Sequence, residues 1–229
     1  MDTGVSSDDM RRPVACDLYC GEGGMSTGLD QAGFKVFGVD LYHQGRYPFP
    51  FFQSDAVAFV RRHKSELRES CSLIHASPPC QLYSKTARLH DLRRPDLIAQ
   101  TRDALEDLGI PYVIENVVDA YDYLREPVML CGGMFGIETY RHRLFEAGCG
   151  ADLVQPPHPQ HIARNAVMGR SPQDGEFMHI VGNFAGVHRA RTIMGMPHAS
   201  RYGLSQAVPA CYGLWVGEQV RNNAVHGVR

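Results

Sequence analysis

Cys80 stands in Ser77-Pro78-Pro79-Cys80-Gln81, directly after the apolar run Leu73-Ile74-His75-Ala76. Two prolines cannot extend a β ladder or enter a helix interior, so the pattern predicts a strand ending in a stiff loop that presents one thiol. That thiol is either a nucleophile or a small apolar group beside a turn. A second stretch, Cys20-Gly21-Glu22-Gly23-Gly24-Met25-Ser26, separates a predicted strand from a predicted helix. Glycines there let backbone N–H groups approach a ligand at the helix N-terminus. Ser26 occupies the third glycine position of a Gly-x-Gly-x-x-Gly pattern, which speaks against a dinucleotide. Asp40 closes the next strand, where it either meets ribose hydroxyls or caps a helix. Asp55 has the same two readings. Glu115-Asn116-Val117 ends a further strand, and Glu115 is either a functional carboxyl or a satisfied strand-end carboxylate.

The elements that must position these groups alternate. Strands are expected over residues 13–19, 34–39, 73–76 and 111–114, and helices over 55–67 and 96–108. In the second helix Leu97, Ile98, Thr101, Leu105 and Leu108 recur at helical spacing, and Gly109 stops it. This order predicts an α/β fold with an open, doubly wound, mostly parallel sheet. In strand order 3-2-1-4-5 the glycine loop and the Cys80 loop face one crevice at the topological switch point, with Glu115 alongside. Arg141 and Arg143 alternate and are expected on one face of a strand. Ile180-Val181, before Gly182-Asn183, suggests one more short strand.

The 229 residues suit one domain of ordinary size with a full core. No apolar run is long enough for a membrane span, and residues 1–13 read as a polar tail without a secretory signal. Seven cysteines without a Cys-x-x-Cys pair indicate neither a disulfide framework nor a zinc finger, so a reducing compartment is expected. Net charge is −2. Residues 151–229 hold seven Lys/Arg against four Asp/Glu, a mild basic excess suited to phosphates or simply to a solvated face.

Asp17-Leu18-Tyr19-Cys20-Gly21-Glu22-Gly23-Gly24, Ser77-Pro78-Pro79-Cys80-Gln81, Glu115-Asn116-Val117 and Arg141-His142-Arg143 resemble, in order, motifs of the cytosine-C5 DNA methyltransferases. Arg191-Thr192-Ile193-Met194-Gly195-Met196-Pro197 and Ser205-Gln206-Ala207-Val208-Pro209 resemble the last two motifs of that family, in a shortened form most like its bacteriophage-encoded members. The resemblance implies a Rossmann-like fold and S-adenosylmethionine as cofactor. It also implies transfer of a methyl group to C5 of a flipped cytosine in DNA through a covalent adduct between Cys80 and C6. Glu115 would hold cytosine N3 in its acid form, Asn116 would brace the Pro79-Cys80 loop, and Arg141 and Arg143 would serve the base's O2 and the catalytic loop. The cofactor would lie along Tyr19, Gly21, Glu22, Gly24, Asp40 and Leu41. Asp55, Ala56, Pro79 and Leu97 would add contacts, and Gln206, Ala207 and Val208 would return from the C-terminal part. Thr139, Ser205 and Gln206 depart from the family's usual Gln, Gly and Asn.

Family members carry a long target-recognition domain between the arginine motif and the Met-Gly-Met-Pro helix. Here residues 148–187 must serve, between a catalytic domain at 14–147 and completing helices at 188–229. Its loop Gln155-Pro156-Pro157-His158-Pro159-Gln160-His161 is stiff and polar. With no cysteine near His158 and His161 in sequence, no metal is expected. Arg164, Arg170, Arg189 and Arg191 are the candidate phosphate contacts. Expected, then, are a short or degenerate DNA target and a monomer in a bacterial or phage-infected cytoplasm, within a restriction-modification or phage setting. Methylation of tRNA, methylation of free cytosine nucleotides and a non-catalytic DNA-binding role are the alternatives.

Overall fold

The computed structural model describes residues 12–79 and 96–226. Five short strands of near-continuous apolar character form the centre: β1 (Val14–Leu18), β2 (Lys35–Asp40), β3 (Phe51–Gln53), β4 (Cys71–Ala76) and β5 (Tyr112–Asn116). Together with β6 (Val128–Leu130) and β7 (Arg143–Gly148) they make a seven-stranded sheet in the order β3-β2-β1-β4-β5-β7-β6. β1 to β5 pair in parallel, and β7 runs antiparallel to both β5 and β6. The expected 3-2-1-4-5 order is therefore present, with β1 and β4 adjacent at the switch point.

Alternation along the strands divides the core. Cys16, Leu18, Ile74 and Ile114 face α2 (Ala56–Arg62), α3 (Lys64–Ser70) and α4 (Leu97–Leu108), burying Val60, Leu67, Ile98, Leu105 and Leu108 against them. Ala15, Val36, Leu73, Val113 and Phe145 point the other way, onto Met25 and Leu29 of α1 (Gly24–Gln31) and Tyr212 and Val216 of α7 (Ala210–His226). Both faces are covered, which is why these strands read as apolar runs. Asp96 caps α4 through the Ala99 amide at 3.0 Å, and Gly109 ends it at φ 73°. The single helix expected over 55–67 is two: α2 stops at His63, whose φ of −106° and ψ of 28° are not helical, and α3 restarts at Lys64.

α4 is fastened to the antiparallel strand by one buried ion pair. Arg102 reaches Glu146 with Nε and Nη2, both at 2.6 Å, and Glu146 also accepts the Arg125 amide at 2.8 Å. The bidentate fork and the extra donor satisfy a carboxylate that burial would otherwise penalise.

Residues 149–186 hold little regular structure beyond the two-residue pair β8 (Arg164–Asn165) and β9 (Glu176–Phe177). Ile180 and Val181 form no strand. Ile180 is instead buried with Met178 and Phe184 against Ala190 and Met194 of α5 (Val187–Met194), and against Leu204 of α6 (Arg201–Gln206).

α1 and α7 approach closely where each carries a glycine. A methyl group added at Gly28 would stand 1.9 Å from the Ala210 carbonyl oxygen, and one at Gly213 would stand 2.4 Å from that of Met25. Gly28→Ala is expected to cost at least about 1–3 kcal/mol by overpacking. Urea unfolding monitored by circular dichroism measures it, and an unchanged midpoint would contradict this contact.

Candidate active site

The carboxyl ends of β1, β2, β4 and β5 form one rim. After β1, Tyr19 takes a left-handed conformation (φ 58°) and anchors its hydroxyl to Thr101 on α4 at 2.9 Å. Gly21 (φ 51°) and Gly23 (φ 86°) carry the turn into α1, where only glycine adopts such angles without strain. A side chain at Gly21 would meet nothing within 4 Å, so this part of the loop borders open space. The Gly21 amide donates to Asp40 Oδ2 at 3.1 Å, and Tyr42 N to Asp40 Oδ1 at 3.0 Å. No helix follows Asp40, so its capping alternative fails: the chain turns and enters β3. Asp55 does cap α2, accepting from Ala58 N at 2.8 Å. Leu41 is half exposed beside Asp40, whereas Ala56 is buried in the core. Leu97, the first residue of α4, is half-buried.

Glu22 and Gly24, also expected at the cofactor, are engaged with the C-terminal part of the chain. Glu22 accepts from both the amide and the hydroxyl of Ser200, each at 2.6 Å, so its carboxylate fixes the start of α6. Gly24 lies under the Val208 carbonyl, which a side chain at 24 would approach to 2.2 Å. Ala207 and Val208 thus return to the glycine loop as expected, with Gln206 exposed beside them.

At the end of β4, Ser77 N donates to Leu18 O at 3.2 Å, joining the strand end to β1. Pro78 is buried and Pro79 exposed. Asn116 Nδ2 donates to Pro78 O at 2.8 Å, tying the end of β5 to the backbone that follows β4. Cys80 and Gln81 lie outside the described residues. Glu115 is buried next to Asn116, with Oε1 2.9 Å from Arg143 Nε.

Arg141 corrects the expected arginine geometry. It precedes β7, has φ 31°, and shares no strand face with Arg143. Its buried guanidinium donates to Ala207 O (2.6 Å), Ile180 O (2.6 Å) and Ser205 O (2.8 Å). Burial first, then the Arg143 charge, push its pKa well down, and the three carbonyls hold it as a cation. Thr139, a departure from the family pattern, is buried nearby. Among the candidate phosphate contacts, Arg170 is paired with Glu176 (2.7 Å), Arg189 with Glu138 (2.6 Å), and Arg191 Nε with Ala199 O (2.8 Å), while Arg164 is exposed.

Other groups escaped the sequence reading. His75 Nδ1 donates to Asp17 Oδ1 at 2.8 Å, Ser26 Oγ donates to Asp17 Oδ2, and Tyr47 OH lies 2.7 Å from Ser26 Oγ. Burial first and Asp17 second push the Tyr47 pKa up, keeping it a donor to Ser26. This buried chain links β1, β4 and α1 beneath the glycine loop. A polar residue inside each apolar strand, Asp17 and His75, was the available signal. Cys131, His142, His158 and His161 also converge, from three segments of the chain.

Arg141→Lys keeps the charge but cannot reach three carbonyls at fixed angles. It is expected to destabilise the protein by about 2–3 kcal/mol, given the strength of hydrogen bonds to charged groups. Hydrogen exchange in α6 should rise with it. Denaturant unfolding combined with exchange mass spectrometry tests this, and unchanged protection of 201–206 would overturn the clamp.

No family model matches the chain. It is 25% identical over 192 residues to the type II methyltransferase M.XorII of Xanthomonas oryzae pv. oryzae, covering 69% of this chain and 45% of that protein. It is also 25% identical over 191 residues to the type II methyltransferase M.AgeI of Thalassovita gelatinovora, covering 64% and 42%. The chain thus spans less than half the length of these relatives. Among solved structures, one assigned as a DNA modification methyltransferase encoded within an E. coli prophage superposes with a TM-score of 0.64 at 14% identity, covering 93% of this chain and 99% of the other. The fold is therefore a Rossmann-like, doubly wound α/β fold, shared with that methyltransferase structure.

Proposed function

We propose that the chain methylates C5 of cytosine in DNA, with Cys80 as nucleophile. The observation that carries this reading is the 2.8 Å bond from Asn116 Nδ2 to Pro78 O. It ties the end of β5, where Glu115 is buried, to the backbone two residues before the thiol. The switch-point topology sets the same two strand ends beside the glycine loop. The similarity to two type II methyltransferases, and the fold shared with a protein assigned as a DNA modification methyltransferase, support DNA as the substrate class.

C5 of cytosine is a poor nucleophile. Addition of the Cys80 thiolate to C6 moves ring electrons toward C5 and N3, so that C5 gains enamine character. Glu115, in its acid form, would hydrogen-bond N3 as charge develops there, which requires exchange of its present pair with Arg143. Arg143 is then free for the base or the loop, while Arg141 acts by positioning. Transfer of the C5 proton to solvent water after methylation restores the aromatic ring as the C6–S bond breaks and Cys80 leaves as the thiolate.

The crevice fits S-adenosylmethionine: open space at Gly21, an acidic strand end at Asp40 and an apolar neighbour at Leu41 suit a ribose and a base. That cofactor, when bound, supplies a methyl group on a sulfonium centre. Asp40 and the Gly21 loop would hold it, with Asp55, Pro79 and Leu97 at the edges.

Residues 148–187 would read the target. Three of their neighbourhood's four candidate arginines are engaged internally, so few phosphate and base contacts remain. Flipping a cytosine costs a few kcal/mol that such contacts must offset.

Tritiated methyl transfer to duplex DNA, single-stranded DNA, tRNA and dCTP in parallel tests the reading. Transfer to DNA is expected, abolished in Cys80→Ser, with a denaturation-resistant adduct on fluorocytosine DNA for the wild type only. Full activity of Cys80→Ser would sink the mechanism. Asp40→Ala should weaken S-adenosylmethionine binding by about 1.5–3 kcal/mol in calorimetry. Bisulfite sequencing should reveal a target of about two to four base pairs, at roughly 1–3 kcal/mol of discrimination per contacted pair. A long, strictly defined site would refute that limit.

A further inference from the structure

Cys131 and His142 are set together by the sheet. Leu130, the last residue of β6, pairs with Arg143, the first of β7, so Cys131 and His142 stand just beyond the same end of the pair. His158 and His161 arrive from the loop at 155–161, in which Pro156, Pro157 and Pro159 restrict the backbone. One nitrogen from each histidine and the cysteine sulfur all lie within 4.8 Å of one another. His142 Nε2 is 3.1 Å from His158 Nε2, and Cys131 Sγ is 3.4 Å from His161 Nε2.

Those distances are close to what a small tetrahedral ion needs. Zn–N bonds of about 2.0–2.1 Å and a Zn–S bond of about 2.3 Å give N···N edges near 3.3–3.4 Å and N···S edges near 3.5–3.6 Å. The remaining edges close if the exposed histidines shift slightly, and both sit on a loop outside the sheet. The donor set contains three imidazoles, one thiol and no carboxylate, which selects zinc over calcium or magnesium. Tyr140 stacks on the His161 ring at 3.7 Å between centroids and 16° between planes, fixing its orientation. Hydrogen bonds alone would explain the two close pairs, but not the gathering of all four donors from three segments.

We propose that Cys131, His142, His158 and His161 bind one zinc ion in a structural site of one thiolate and three imidazoles. Four protein ligands leave no open coordination position, so the ion holds rather than reacts. It pins the 155–161 loop to the end of the β6–β7 hairpin, with a ligand, His142, between Arg141 and Arg143. On binding, the Cys131 thiol gives up its proton and the ion takes the thiolate. The site stands whether or not the chain is a methyltransferase.

The test uses the full chain, tag-free, purified with a reductant and without chelator. About one zinc per chain by mass spectrometry is expected. Cobalt titration should give intense tetrahedral visible bands and a near-ultraviolet thiolate-to-cobalt band. His158→Ala and His161→Ala, both at exposed positions, should each weaken zinc binding more than about a hundredfold, beyond the 10–100-fold typical of outer-shell partners. Their circular dichroism should match wild type. Cys131→Ser should remove the thiolate-to-cobalt band. Removing zinc should speed hydrogen exchange at 155–161 while leaving β1 and β4 protected. A chain that holds no zinc after dialysis against a slight excess would overturn the proposal. So would pale six-coordinate cobalt spectra, or undiminished binding in the doubly substituted histidine variant.

Discussion

The guanidinium of Arg141 is the joint on which the candidate site depends. It binds one carbonyl from residues 149–186, one from α6 and one from the segment after it, at 2.6–2.8 Å. Burying a cation is costly unless every donor finds an acceptor, and a forked planar group can satisfy several carbonyls at once. The backbone gives way to make this possible: Arg141 sits at φ 31°, a region few non-glycine residues occupy. Tyr212 OH donates to Arg141 O at 3.0 Å and so steadies the strained peptide from α7. The neighbouring Glu22–Ser200 bonds make the second tie, from the glycine loop to α6. Between them, these contacts deliver the C-terminal segment onto Gly24. A chain whose last motif lies far from its first in sequence closes its crevice in this way.

What could be read from the sequence was local. Strand β1, the glycine turn, the Gly109 stop and the Asp55 cap each follow from short-range chemistry, and each is present. Topology followed as well, because a parallel sheet with both faces covered leaves few orders open. The Asn116 brace was reached through resemblance rather than physics. What local reading left out was mostly the partner that another stretch of chain supplies. Nothing near Arg170 in sequence except Glu176 announced their pairing, and nothing near Arg189 announced Glu138. Arg141 and Arg143 look equivalent until three remote carbonyls claim one and Glu115 the other. His158 and His161 lacked a cysteine only along the chain, since β6 brings Cys131 to them in space. The break at His63 and the short β3 left no clear periodic signal.

The buried chain from Tyr47 through Ser26 and Asp17 to His75 shows why a serine stands where a dinucleotide loop has glycine. Asp17 is a charge inside a strand and needs donors. Ser26 supplies one from α1 and His75 the other from β4. His75 Nε2 finds no partner among the described residues, which leaves one donor or acceptor of the chain unmatched. Gly28 on the same helix serves a different approach, that of α1 to α7.

Motif residues therefore divide by whether the protein itself already satisfies them. Glu22, Asp55, Asn116 and Arg141 have their hydrogen-bonding capacity directed inward, and each fixes the position of a backbone segment. Gly21 and Leu41 face open or half-open space, and Asp40 holds the loop between them. Glu115 and Arg143 hold each other in a pair that a ligand can exchange. Substituting the inward group should change stability along with activity, because it leaves buried carbonyls or amides unpaired. Substituting Glu115 or Arg143 also leaves a buried partner charge unpaired, but it frees no backbone group. The division follows from hydrogen-bond saturation alone, so it holds for whatever small molecule the crevice admits.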